Sequence, residues 1–357
     1  MTLLELRDVT VTYRGTAGEV PAVRGVSLDL AAGQALGVAG ESGSGKSTLA
    51  MALLRLLPRD ARVSGEILLD GEDVLTMKWG RLRAVRWASA SVVFQGAQHA
   101  LNPVRRIEDQ LAEPLLVHGL ATPAAARRKV AELLEQVGMP AWRARGYPHE
   151  LSGGQRQRVM IAMALACSPR LIIADEPTTA LDVMIQAQVL ALIRSLIAEH
   201  GIGMIMISHD LSVLASMCDR LAVMYAGRVV ESGPSHEVFQ DARHPYSRAL
   251  AAAFPTVGDP ASRMAPKGLG GDPPDPRHLP TGCSFHPRCQ VSLPSCASRE
   301  VELWPAGGGP APHTAACVRV LPETAGAQGE HGEEPGAHGE EPGARGAVSG
   351  RPVEEVQ

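Results

Sequence analysis

The stretch "GESGSGKST", Gly40 to Thr48, follows the apolar run "QALGVA" and decides how the chain is read. Its spacing is G-x-x-x-x-G-K-[ST], a pattern with chemical meaning only between a buried strand and a helix. Both contexts are expected here, because "QALGVAG" (34–40) reads as a buried strand leaving a core. Gly40, Gly43 and Gly45 let backbone N–H groups turn inward around phosphate oxygens, with Ser42 and Thr48 completing the loop. A helix beginning near Lys46 adds its partial positive end. Lys46 is expected to reach the β- and γ-phosphates of a nucleotide and Ser47 to ligate Mg²⁺.

Working outward, residues 3–13 alternate apolar and polar (Leu4, Leu6, Val9, Val11, Tyr13), the pattern of half-buried strands. "GEILLDGEDV" (65–74) predicts another strand and a tight Asp-Gly turn. From about 75 to 165 the character is helical. "TPAAARRKVAELLEQVG" (122–138) shows it best: Thr122 caps, Pro123 suits the first turn and Gly138 ends the helix. Val130, Leu133, Leu134 and Val137 share one face. Apolar runs return at "RLIIAD" (170–175), "GMIMIS" (203–208) and "RLAVMYAG" (220–227). The first two are nearly continuous, as in parallel strands covered on both faces. Strands alternating with helices indicate an α/β layered fold, with 76–165 as a helical insertion.

"LIIADEP" (171–177) carries Asp175 and Glu176 on the end of a buried strand. Two carboxylates there are costly unless a cation or a nucleophile faces them. Asp175 suits Mg²⁺, and Glu176 suits the general base that polarises an attacking water. The two segments together specify a Mg-dependent nucleotidase. In "LSGGQRQR" (151–158), Ser152 can cap a helix, and Gly153 and Gly154, before Gln155, leave room for close approach to a phosphate.

The remaining composition narrows the class. A hydrophobic content of 45% with 20% charged residues is that of a soluble globular protein. A net charge of −4 gives no electrostatic case for nucleic acid. No run of about 18 consecutive apolar residues is present, and charges interrupt the apolar pattern of "MTLLELRDVTVTYRG". Neither a bilayer span nor a signal peptide is expected, which points to the cytoplasm and to reduced thiols.

At these residues the sequence resembles the ATP-binding subunits of ABC transporters, over roughly 3–250. The resemblance implies a P-loop NTPase fold of the ABC type with a helical subdomain. It implies that "LSGGQ" contacts ATP held by the opposing subunit of a head-to-tail dimer. It matches Gln95 in "VVFQG" to the glutamine that contacts Mg²⁺ and links the nucleotide to the membrane subunits. Asp182 in "TTALD" matches the aspartate that crosses the dimer, and His209 in "MISHD" the switch histidine that senses γ-phosphate. Tyr13 lies where an aromatic residue stacks on adenine. "FQGAQHALNPV" (94–104), "YPHELSGGQRQR" (147–158) and "HPYSRAL" (244–250) resemble the peptide and nickel importer branch. Gly96 and Ala97 depart from its acidic residue and proline, on the surface expected to meet the permease.

The expected organisation is an ATPase domain over 1–240, an importer-type extension over 241–322 and a disordered tail over 323–357. That tail contains "HGEEPGA" twice, at 331–337 and 338–344. The resemblance implies two permease subunits, a second ATPase subunit (identical or different), an indirectly coupled solute-binding protein and a peripheral location on the cytoplasmic membrane face. Peptide is the expected solute and nickel the alternative. A translation or DNA-maintenance ATPase usually carries two cassettes or a long coiled coil, and this chain shows neither. The permease-facing and tail motifs argue against an exporter, and intact Lys46, Asp175, Glu176 and His209 against a non-catalytic cassette.

Of six cysteines, Cys167 and Cys218 lie in apolar helices and read as core. The other four, Cys283, Cys289, Cys296 and Cys317, read C-x5-C-x6-C-x20-C and lack the short knuckles of structural zinc sites. Four thiolates can hold a [4Fe–4S] cluster, which the resemblance also suggests; zinc and free thiols stay open.

Overall fold

In the computed structural model, which describes residues 2–15, 18–96, 100–253, 269–306 and 313–321, two strands of 14 residues come first. Thr2–Gly15 (β1) and Gly18–Ala31 (β2) pair antiparallel. Ala35–Ala39 (β3) is buried at every position and runs through the glycine loop into Lys46–Ala52 (α1). Ala61–Leu69 (β4) returns beside β1 and turns at Asp70-Gly71 into Glu72–Asp73 (β5). Both turn residues have positive φ, the geometry an Asp-Gly hairpin favours. These strands form a sheet of order β2-β1-β4-β5.

The next block is less uniform than its sequence suggests. After Trp79–Val85 (α2), the segment Ala90–Val93 (β6) is a parallel strand of the main sheet. The reading of 76–165 as helical insertion is corrected here. Four residues are too few to show a period, and the pairing Ala90 to Leu171 decides the state. The helices proper are Ile107–Val117 (α3), Pro123–Gln136 (α4) and Gly153–Leu165 (α5). α4 follows its sequence closely: Thr122 accepts a bond from the Ala125 N–H, Pro123 opens the helix, and Gly138 lies at φ 70°. Ala126, Val130, Leu133 and Leu134 face the core.

Leu171–Asp175 (β7), Val183–His200 (α6), Gly203–Ser208 (β8), Leu211–Met217 (α7), Arg220–Tyr225 (β9) and Arg228–Pro234 (β10) complete the cassette. Ser235–Gln240 (α8) and Pro245–Ala253 (α9) follow, and then the short strands Trp304–Pro305 (β11) and Thr314–Ala315 (β12). The main sheet has the order β11-β12-β10-β9-β3-β8-β7-β6, parallel from β9 through β6. Strands β3, β8, β7 and β6 therefore end on one edge, where ligands of open parallel sheets bind. One core fills the space between the two sheets around Leu36, Val38 and Leu49; another joins the main sheet to α3–α6. By length and composition α6 could cross a bilayer. Arg194 and Glu199 interrupt it, and Val189, Ile193 and Leu196 pack it into the fold.

The described part of the extension belongs to the same compact unit, Met1–Val320. Residues 322–357, with the duplicated "HGEEPGA", lie outside the described residues, as does Ala97. Phe285 packs against Tyr225, Tyr246 and His244. Glu231, fully buried, accepts bonds from the backbone of Arg243 and His244 and approaches His313 Nε2 at 2.7 Å.

His244 is buried, and its Nδ1 accepts from the Tyr246 N–H at 3.1 Å. Burial pushes it down from 6.5 to about 4, against the opposing pull of Glu231. The unfolded chain then binds a proton between those values that the folded chain refuses. Stability from this residue is complete above the ordinary value and falls with acid by up to about 3 kcal/mol. His244→Asn keeps an acceptor for Tyr246 and removes the titration. Its melting temperature is expected to fall less steeply than that of wild type from pH 7 to pH 4.5; parallel slopes would contradict the assignment.

Candidate nucleotide site

The loop after β3 is shaped by two close approaches. Gly40 (φ 149°) and Gly45 (φ 101°) sit where a Cβ would collide with the carbonyl oxygens of Met224 and Ala22. Gly43 (φ 80°) faces open space, so there only the backbone conformation asks for glycine. Lys46, 6% exposed, donates to the carbonyls of Gly40 (2.7 Å) and Glu41 (2.8 Å) and to Ser44 Oγ (3.3 Å). Burial lowers its pKa, while the carboxylates of Glu176, Asp175 and Glu41 hold the charge on it.

Ser47 Oγ donates to Asp175 Oδ1 at 3.1 Å, joining the two expected Mg²⁺ ligands. Burial raises the Asp175 pKa, and Glu176 adds to this; Ser47 and Lys46 oppose it. The buried Asp175 carboxylate and the Ser47 hydroxyl supply oxygen donors of the kind a hard divalent cation takes, while the Lys46 ammonium, which cannot ligate a cation, is left for phosphate. The next residue, Glu176, stands at φ 45°, a left-handed conformation that costs a non-glycine residue about 1 kcal/mol or more. That turn aims its carboxylate at the other strand ends. Its Oε2 accepts from Gln95 Nε2 (3.0 Å) and Thr179 Oγ1 (2.8 Å), and Oε1 lies 3.4 Å from His209 Nδ1. Gln95, Glu176 and His209 thus form one cluster from residues just after β6, β7 and β8. Tyr13 touches the same region through its hydroxyl, 3.3 Å from Thr48 Oγ1.

Ser152 and Gln155 close a reciprocal cap at the start of α5: Ser152 Oγ accepts from the Gln155 N–H, and Gln155 Oε1 accepts from the Ser152 N–H. Gly154 is required by protein packing, since a Cβ there would press on the Ile185 side chain of α6; Gly153 lies against Leu181. Asp182 caps α6 by accepting from the Ile185 N–H at 2.9 Å. Among the hydrogen bonds of the described residues, none joins 152–155 or Asp182 to Gly40–Thr48. The chain therefore builds two separate surfaces, one around Lys46 and one around Ser152.

Residues that sequence reasoning missed lie beneath the loop. Glu41 is held by Arg288 of the extension, and its backbone N–H donates to Tyr246 Oη. Position 288 lies 247 residues away, and no local pattern connects the two. The "HPY" stretch that contains Tyr246 was the available signal. Cys167 and Cys218 are buried, and burial pushes their thiols up to about 11 and about 12.

Cys283, Cys289, Cys296 and Cys317 all line one cavity, of about 20 Å³. Burial is the first cause raising the thiol pKa at Cys283, Cys289 and Cys317. The donor set suits a soft metal, but the space is about that of one water. Among the described residues no three His, Cys, Asp or Glu side chains are arranged as a metal site. The thiols converge without forming a ligand cage, so neither cluster nor zinc gains support from this geometry.

Two family models match the chain: "ABC transporter" over residues 23–179 and "Oligopeptide/dipeptide transporter, C-terminal region" over 230–296. The oligopeptide transport ATP-binding protein OppD of Salmonella typhimurium is 44% identical over 296 residues, covering 82% of this chain and 88% of that protein. OppD of Escherichia coli is 44% identical over 298 residues, covering 83% and 88%. Among solved structures, the ATP-binding cassette MJ0796, a dimer in a post-hydrolysis state bound to ADP and Pi, is similar at TM-score 0.57 and 30% identity. It covers 63% of this chain and 96% of the cassette. With the phosphate loop, the carboxylate pair and the capped Ser152 helix in this arrangement, the chain belongs to the ABC transporter ATP-binding proteins, in the branch that carries the oligopeptide/dipeptide C-terminal region.

Proposed function

We propose that the chain is the ATP-hydrolysing subunit of an importer that takes up di- or oligopeptides through partner permeases. The observation that carries the chemistry is the meeting of Ser47–Asp175 with Gln95–Glu176–His209 at one sheet edge. Mg²⁺, held by Ser47, Asp175 and Gln95, would neutralise phosphate charge. Lys46 and the loop amides bind the β- and γ-phosphates, and Tyr13 packs on the base. Glu176 takes a proton from the attacking water, while His209 reads the γ-phosphate and positions the Glu176 carboxylate. The detached Ser152–Gln155 surface, with Asp182, serves the nucleotide of a second ATPase subunit, which supports a two-subunit site.

The partners in this reading are an identical or different ATPase chain, two permeases and, indirectly, a solute-binding protein, with the subunit on the cytoplasmic membrane face. Similarity to the two OppD proteins and the C-terminal region match support peptide as the solute. The test is reconstitution of the assembled transporter in vesicles with labelled di- and tripeptides and with Ni²⁺. ATP-dependent peptide uptake supports the reading; Ni²⁺ uptake replaces the solute; hydrolysis with no uptake of either removes the importer assignment.

The finer reading of the four thiols, a [4Fe–4S] cluster with zinc as the alternative, rests on the number and type of the donors and not on the cavity they line. It requires the surrounding loops to part around the group. Anaerobic purification with iron, sulfide and zinc analysis decides among cluster, zinc and free thiols.

A further inference from the structure

We propose that Arg288, from the cysteine-bearing extension, is a positioning residue of the nucleotide site that sets ATP affinity by neutralising and fixing Glu41. Glu41 is the second residue of the phosphate-binding loop, an unfavourable place for a negative charge beside a polyphosphate. Arg288 meets its carboxylate with two parallel bonds, Nη1 to Oε2 at 2.7 Å and Nη2 to Oε1 at 3.0 Å. The Arg288 side chain is 7% exposed and Glu41 24%, so water screens the pair weakly. Arg288 is itself oriented: Nε donates to the Gly270 carbonyl (3.0 Å), Nη1 reaches Tyr225 Oη (3.3 Å), and the guanidinium lies over the Tyr225 and Phe285 rings.

The backbone of Glu41 is fixed from the same side. Its N–H donates to Tyr246 Oη at 2.8 Å, and its carbonyl accepts from Lys46 Nζ at 2.8 Å. A continuous path runs Arg288–Glu41–Lys46, from the extension to the lysine assigned to the phosphates. A bidentate guanidinium on a fixed carboxylate carries direction as well as charge, which suits it to hold a loop. Removing Arg288 leaves an uncompensated carboxylate in the phosphate cradle and frees the loop to shift.

The inference rests on the reading that Gly40–Thr48 holds the nucleotide phosphates, and the experiment separates the two. ATP binding to the full chain with Mg²⁺ is measured by calorimetry for wild type, Arg288→Ala, Glu41→Gln, the combined variant and Lys46→Ala, with thermal unfolding in parallel. Arg288→Ala is expected to weaken ATP binding about tenfold, because one partner of a desolvated charge pair is left alone. Glu41→Gln weakens it by about threefold at most, and adding Arg288→Ala to Glu41→Gln changes little more, the signature of a coupled pair. If Arg288 only supports the fold, the combined variant is as weak as Arg288→Ala; that result, or wild-type affinity in Arg288→Ala, overturns the proposal. Should Arg288→Ala fail to fold, Arg288→Lys takes its place: it keeps charge but loses the fork, and weakened binding that Glu41→Gln rescues is expected. Wild-type affinity in Lys46→Ala would instead defeat the reading of the loop itself.

Discussion

Glu176→Gln leaves ATP binding within about twofold of wild type and lowers ATP turnover about a thousandfold, the loss expected when a general base is removed. The substitution keeps size and planarity. Thr179 Oγ1 and Gln95 Nε2 both donate to Oε2, so with the amide oxygen at that position both keep their acceptor and the new NH₂ group faces His209 Nδ1. The left-handed backbone at φ 45° is equally open to Gln. What disappears is the negative charge and the proton acceptor. His209, now 3.4 Å from an amide in place of a carboxylate, cannot substitute as base without leaving its contact. Single-turnover hydrolysis in the assembled transporter, beside nucleotide titration of the full chain, reads the two effects separately. Turnover within tenfold of wild type would assign the base elsewhere.

Gly45→Ala is expected to weaken ATP binding at least a hundredfold while lowering stability by only about 1–3 kcal/mol. Two independent constraints act at this position. The φ of 101° is one that a side-chain-bearing residue rarely adopts, and the new methyl would collide with the Ala22 carbonyl in β2. Ala22 is backbone in a paired strand and cannot rotate away, so the loop itself must move. Gly45 immediately precedes Lys46, and its displacement shifts the lysine and the first amides of α1 together. Gly43→Ala meets no atom and carries the conformational cost alone, which makes it the milder companion. Nucleotide titration against thermal melting distinguishes a distorted cradle from a lost fold. Equal affinities for Gly45→Ala and wild type would show that the loop is not held as described.

The parallel core was legible because its strands are buried on both faces. "RLIIAD" and "GMIMIS" have almost no polar residue to place in water, and only a central sheet position satisfies them. Ser152 was legible as a cap because a capping side chain acts within one turn of sequence, whereas the answering bond from Gln155 emerged only in the fold. The phosphate loop was legible because backbone conformation leaves glycine at fixed offsets. What stayed hidden was non-local. The four residues of β6 take their state from Leu171–Ala174 of the neighbouring strand, not from any period of their own. Gly154 reads as room for a phosphate, yet within the chain its bare Cα is filled by Ile185. The Glu41–Arg288 pair spans most of the chain, and neither residue is unusual in its own neighbourhood. Four cysteines announce soft-ligand chemistry by type, but the spacing of thiols around 20 Å³ is a property of folded loops.

The way the main sheet ends has a bearing on how the protein behaves in solution. β10 would present open N–H and C=O groups to other chains if Thr314–Ala315 did not pair with Glu231 and Ser232. The extension therefore acts as an edge guard. The guard is itself blunt: its outermost strand is two residues long, and one of them is Pro305, which has no N–H to offer a further strand. A chain cut before residue 300 would expose both that edge and the buried Glu231. Its first symptom would be self-association, with the catalytic residues still in place.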